Sequence, residues 1–148
     1  MIKVLVIHGP NLNMLGVREP EIYGQDSFNE LNDKIMNLAK QLQIELRLHH
    51  SNYEGKIVDH IQEALSWADG ILINAGALSH TSYSIRDALA AVRLPTIEVH
   101  VTNIYARDEW RQRSVIAPVV TGVIVGLGTN GYLLALEGLK TIIEASRR

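Results

Sequence analysis

Residues 2–7 read Ile2-Lys3-Val4-Leu5-Val6-Ile7, closed by His8-Gly9-Pro10. A short, almost continuous apolar run rich in β-branched residues is the signature of a strand buried on both faces, the habit of parallel sheets. Three further runs of this kind follow at residues 71–74, 96–99 and 119–125. Residues 44–49 (Ile-Glu-Leu-Arg-Leu-His) alternate instead, as an edge strand with one wetter face does. Between these runs the apolar period changes from two to that of a helix. Leu31, Ile35, Leu38, Ala39 and Leu42 form one stripe, opened by Ser27 with Glu30 three residues on, a capping box. Ile57, Ile61, Ala64, Leu65 and Ala68 form a second. Ile85, Ala88, Leu89 and Val92 form a third, stopped by Pro95, and Leu133, Leu136, Leu139, Ile142 and Ile143 form the last.

The resulting β/α alternation demands a parallel sheet with right-handed crossovers and helices on both faces. Five strands without a repeated mononucleotide-binding half favour the flavodoxin-like order 2-1-3-4-5 over a six-stranded dinucleotide-binding sheet. A chain of 148 residues, 47% apolar and 20% charged, fits a single domain, 1–148, with a sizeable core. The absence of cysteine removes thiol nucleophiles and thiolate metal centres. A net charge of −2 without a basic block argues against nucleic acid as a partner. No apolar tract reaches the about 18–20 residues that a membrane span requires, so a cytoplasmic location is expected.

In this strand order ligands bind beyond the carboxyl ends of the first and third strands, with the fourth alongside. After the first strand comes a connection much longer than an ordinary βα loop, carrying Asn11, Asn13, Arg18 and Tyr23, which suits a lid. The plain alternative is a polar loop held by Asx turns. After the third strand, Asn74-Ala75-Gly76-Ala77-Leu78-Ser79-His80-Thr81-Ser82 brings small residues to a helix start, where an anion could dock on backbone N–H groups. On the fourth strand Glu98 and His100 share one side by the period of two, so the carboxylate can orient the imidazole. Structural Glu-His pairs are also common.

Other patterns carry less. Gly126-Leu127-Gly128-Thr129-Asn130-Gly131 matches G-x-G-x-x-G, but no strand with a ribose-binding acid follows it, so a tight strand-to-helix turn is the better reading. His49 and His50 point to opposite faces of a strand and cannot chelate one metal together, and His60 lacks a helical partner set. Arg107, Arg111 and Arg113, mixed with Asp108 and Glu109, read as a solvated turn, with Arg111 relevant only if it folds back over the fourth-strand loop.

Taken together the motifs resemble one family, the type II 3-dehydroquinate dehydratases, over nearly the whole chain. They are Gly9-Pro10-Asn11-Leu12-Asn13 with Leu15-Gly16, Arg18-Glu19-Pro20 with Tyr23-Gly24, Ser51-Asn52 with Glu54-Gly55, Asn74-Ala75-Gly76-Ala77 with His80-Thr81-Ser82, Glu98-Val99-His100, and Gly122-Val123-Ile124 through Gly128. The chain departs from the family's usual residues at His8 (more often Asn), Tyr53 (His), Ser79 (Thr) and Thr102 (Ser).

The resemblance implies dehydration of 3-dehydroquinate to 3-dehydroshikimate in the shikimate pathway, no cofactor, no metal, and trimers assembled into a dodecamer. It implies Tyr23 as base, Arg18 as the group that activates it, His100 as proton donor, Asn11 as holder of a water against the enolate, and Glu98 as partner of His100. Asn74, His80, Asp87, Val101, Thr102 and Arg111 match substrate-binding positions, Asp87 working at the subunit contact.

The chemistry is sound on its own terms. Loss of water β to a ketone needs a base for the α-proton, enolate stabilisation and an acid for the departing hydroxide. A phenol with pKa ~10 is a weak base, and one guanidinium at ~4 Å in an effective dielectric of ~20 contributes about 4 kcal/mol toward its ionisation. A lysine Schiff base is disfavoured, because Lys34, Lys40 and Lys140 fall on helices, Lys3 opens a strand and Lys56 opens a helix. An FMN carrier lacks its phosphate loop and aromatic walls here, and a phospho-acceptor module would carry Asp where Asn74 stands.

Overall fold

The computed structural model describes residues 1–17, 19–24 and 26–147. Five parallel strands, β1 (Ile2–His8), β2 (Ile44–His50), β3 (Gly70–Asn74), β4 (Thr96–His100) and β5 (Gly122–Val125), line up as β2-β1-β3-β4-β5. The expected order is therefore realised. The helices are α1 (Pro20–Tyr23), α2 (Phe28–Gln41), α3 (Glu54–Ala64), α4 (Tyr83–Val92) and α5 (Asn130–Ser146), joined by short 3₁₀ turns.

Two apolar clusters flank the sheet. Ile2, Val4 and Val6 of β1 pack with Leu31 and Ile35 of α2 and with Ala135, Leu136 and Leu139 of α5. The intervening Leu5 and Ile7 pack with Ile57 and Ile61 of α3 and with Ile85 and Leu89 of α4. Alternate residues of one strand thus feed opposite cores, which is why β1 reads as apolar almost throughout. Edge strand β2 is less covered along its length, as its alternation indicates.

Ser27 caps α2, its hydroxyl accepting the Glu30 N–H at 3.1 Å. Two boundaries differ from the sequence reading. The last strand begins at Gly122 rather than 119, because Pro118, which lacks an N–H to donate to a ladder, draws Ala117–Val119 into a 3₁₀ turn. Helix α3 ends at Ala64, which leaves Leu65 of the expected stripe 63% exposed.

Candidate active site

At the carboxyl end of the sheet β1 and β3 come into near contact. Gly9 donates its N–H to the Asn74 carbonyl at 2.7 Å, and a Cβ on Gly9 would lie 2.5 Å from the Ala75 carbonyl group. Only glycine fits there. Next to it Asn11 takes a left-handed conformation (φ 70°), which asparagine tolerates better than most residues, and its N–H is held by Asn52 Oδ1 at 3.0 Å.

These turns open a cleft of about 140 Å³. Asn11 and its neighbours form one wall, Asn74, Gly76 and His80 the floor beyond β3, and His100, Val101 and Thr102 the end of β4. Tyr23 closes it from the end of α1, and Arg107 and Arg111 from the 3₁₀ turns after β4. The switch-point expectation is met. Asn11, Tyr23, Asn74, His80, His100, Val101, Thr102 and Arg111 all line this one space.

Within the cleft the hydrogen bonds assign proton positions. Glu98, fully buried, bonds His100 Nε2 through Oε2. A carboxylate only accepts, so Nε2 carries hydrogen and Nδ1 is left for a ligand. The other oxygen, Glu98 Oε1, is buried and has no hydrogen-bond partner among the described residues. His80 Nδ1 lies 2.7 Å from the Arg113 carbonyl and must donate to it. Burial, with His100 and Arg111 acting the same way, lowers the His80 pKa despite the bond to Arg113, so the ring is neutral and Nε2 is an acceptor. The two imidazoles stack at 6.0 Å.

One expectation changes. Arg107, read as part of a solvated turn, lines the cleft. It donates from a terminal nitrogen to Thr102 Oγ1 at 3.3 Å, and its guanidinium carbon sits 5.0 Å from the Tyr23 ring centroid. Nothing local announces this, since three arginines within seven residues read alike until the turns are folded. Asp87 is exposed on α4 and does not line the cleft of this chain. Buried Ser82 caps the start of α4, accepting the Ile85 N–H at 3.0 Å and so occupying one of the backbone donors there. Arg18 lies outside the described residues.

The peripheral motifs resolve as expected. Gly126 and Gly128 have φ of +84° and +65°, making the sharp turn from β5 toward α5. His49 stacks on His60 of α3, whereas His50 meets Phe28 of α2. Among the described residues no group of three or more His, Asp or Glu side chains is placed to hold a metal, and no helix is long and apolar enough to cross a membrane.

Residues 2–140 match the family described as Dehydroquinase class II. The 3-dehydroquinate dehydratase of Dictyoglomus turgidum is 60% identical over 139 residues, 94% of this chain and 96% of that protein. The 3-dehydroquinate dehydratase of Campylobacter jejuni is 55% identical over 142 residues, 96% of this chain and 89% of its own length. Among solved structures, the type II dehydroquinase of Butyrivibrio crossotus superposes with a TM-score of 0.93 at 49% identity, covering 94% of this chain and 97% of that one.

Proposed function

The chain belongs to the class II dehydroquinase family, whose reaction is the dehydration of 3-dehydroquinate to 3-dehydroshikimate in the shikimate pathway, and from that premise we propose how this site performs it. Tyr23 removes the proton α to the ketone. The electron pair moves onto the carbonyl oxygen as an enolate, against a water held by Asn11. The enolate then expels the β-hydroxyl, which takes a proton from His100 and leaves as water. Tyr23 returns its proton to solvent and His100 takes one back from it, so the balance is substrate to enone plus water.

The observation that carries this reading is the convergence of a phenol, an imidazole backed by a buried carboxylate, and two guanidinium groups on one small cleft. Arg107 beside the Tyr23 ring is placed to pair with the phenolate form in which Tyr23 acts as base. Arg18 shares that task, as the resemblance implies. Glu98 keeps His100 oriented through Nε2, so the proton given to the leaving hydroxyl comes from Nδ1, from the imidazolium form that the buried carboxylate stabilises. Asn74, His80, Thr102 with the neighbouring Val101, and Arg111 hold the hydroxyl and carboxylate groups of the substrate, and Asp87 reaches the site of an adjacent subunit.

The same reading makes the chain a single catalytic domain of a cytoplasmic enzyme that needs neither metal nor cofactor, assembled as trimers into a dodecamer. Light scattering then gives about 200 kDa, twelve times the 16.5 kDa chain. Adding 3-dehydroquinate in the presence of a chelator and following the conjugated enone absorbance tests the reaction. Tyr23→Phe should abolish turnover while retaining binding of a cyclic polyhydroxy acid. Unchanged rates in that variant remove tyrosine from the base role.

A further inference from the structure

Apolar burial does little to fix where the base sits. Pro20, Glu21 and Ile22 of α1 are exposed, and Tyr23 is half-buried. A groove of about 660 Å³ adjoins both α1 and the turn after β5, lined by Ile22, Tyr23 and Asp26 on the one and by Gly126, Gly128 and Thr129 on the other. The segment that carries Tyr23 is instead pinned where it leaves and rejoins the body of the fold. A Cβ on Gly16 would stand 3.0 Å from Ser27 Cα, so the chain departs and returns at one point, in the manner of an Ω-loop.

At the return stands Asp26. Its Oδ2 accepts the Thr129 hydroxyl at 2.7 Å and the Lys34 ammonium of α2 at 2.9 Å. These bonds, that of Lys34 with the larger effect, hold its carboxyl below the usual carboxylate range, so it is ionised and only accepts. Thr129 stands at the N-cap of α5, where a threonine ordinarily turns its oxygen on the first N–H groups of its own helix. No such cap bond forms among the described residues, and the hydroxyl donates to Asp26 across 103 residues of chain instead. The turn that holds Thr129 is itself bonded to the end of β4. Gly126 donates its N–H to the His100 carbonyl at 3.2 Å, and Gly128 donates to the Val101 carbonyl at 3.0 Å. The glycine motif after β5 thus forms a strut from the His100 strand to Asp26.

We infer that Asp26, through Thr129, is a positioning residue for the base: it fixes the return of the Tyr23 segment against the strand that carries His100, and so sets the spacing of base and acid. Asp26 follows Tyr23 by three residues. Three backbone steps of about 3.8 Å keep the two Cα atoms within about 11 Å, so a displacement at the foot of the segment is passed to the phenol. The inference rests on the reading of Tyr23 as base and His100 as proton donor. Neither Asp26 nor Thr129 lines the cleft, so both act through Tyr23 and not on the substrate.

Thr129→Val, which removes the hydroxyl at nearly constant volume, provides the test. Single-turnover formation of the enone, which separates the chemical step from product release, should slow about threefold to tenfold, the effect of one hydrogen bond to a charged group at a partly exposed position. Affinity for a cyclic polyhydroxy acid should stay within about twofold, because Asn74, His80 and Arg111 are untouched. Thr129→Ser, which restores the hydroxyl, should react within about twofold of wild type. Asp26→Asn, which keeps the shape and removes the charge, should slow the step likewise and serves where Thr129→Val does not fold. A single-turnover rate within about twofold of wild type in either folded variant, an equal loss of affinity and rate, or no recovery in Thr129→Ser overturns the inference and leaves the Asp26–Thr129 pair a structural bond. Absence of turnover by the unmodified protein would instead refute the functional reading itself.

Discussion

Acid should destabilise this protein through His8, and the structure sets the size. Desolvation by burial is the main reason its pKa falls from 6.5 to about 4; the bond to Asn32 opposes that fall and the nearby His50 adds to it. The unfolded chain therefore takes up a proton near pH 6.5 that the native ring refuses until about 4. Between those values the unfolded state holds more protons, so stability declines as pH declines. The contribution is intact above about pH 6.5 and gone below about pH 4. Between about pH 7.5 and about pH 5 this single group removes about 2 kcal/mol.

His8→Asn deletes the titration. Urea unfolding of both proteins, followed by the fluorescence of Trp67 and Trp110 at one fixed protein concentration, should show a pH dependence shallower by about 2 kcal/mol in the variant. Burial also lowers His49, His50 and His80, which steepen the curve in the same direction. They remain in both proteins, so the difference between the two curves isolates His8. Parallel curves would show that His8 does not resist protonation in the native state.

Arg107→Ala should lower kcat about tenfold to hundredfold. Its guanidinium carbon lies 5.0 Å from the Tyr23 ring centroid, at a partly exposed position where solvent weakens the attraction, and Arg107→Lys should retain part of the rate. An unchanged kcat in Arg107→Ala would confine the residue to structure. Gly9→Ala forces a methyl group to 2.5 Å from the Ala75 carbonyl and should cost more than about 2 kcal/mol of stability, read by thermal unfolding. Borohydride added with 3-dehydroquinate should leave activity intact, because no lysine lines the cleft; mass-spectrometric detection of a reduced lysine adduct would contradict the enolate route.

Local sequence determined whatever depends on periodicity and turn chemistry. The apolar runs located the strands, the stripes located the helices, Ser27 with Glu30 marked the start of α2, and a period of two put Glu98 and His100 on one side of β4. The alternation of strands and helices then left few arrangements, and the order placing β1 beside β3 predicted where the cleft would open. Each of these rests on neighbours in the chain, whose spacing fixes which side chains face the same way.

Tertiary structure alone decided which polar groups meet. That Arg107, rather than another arginine of its turn, stands over Tyr23 depends on how the segments after β4 fold back toward α1. Asp87 is left outside its own chain's cleft because α4 presents it to the surface. The bonds of His8 reach 24 residues along the chain to Asn32 and 124 to Tyr132. Apolar burial is nearly indifferent to the identity of its partner, so a pattern suffices to encode it. A buried hydrogen bond requires a particular donor at a particular distance and angle, and that match exists only once distant segments are packed together.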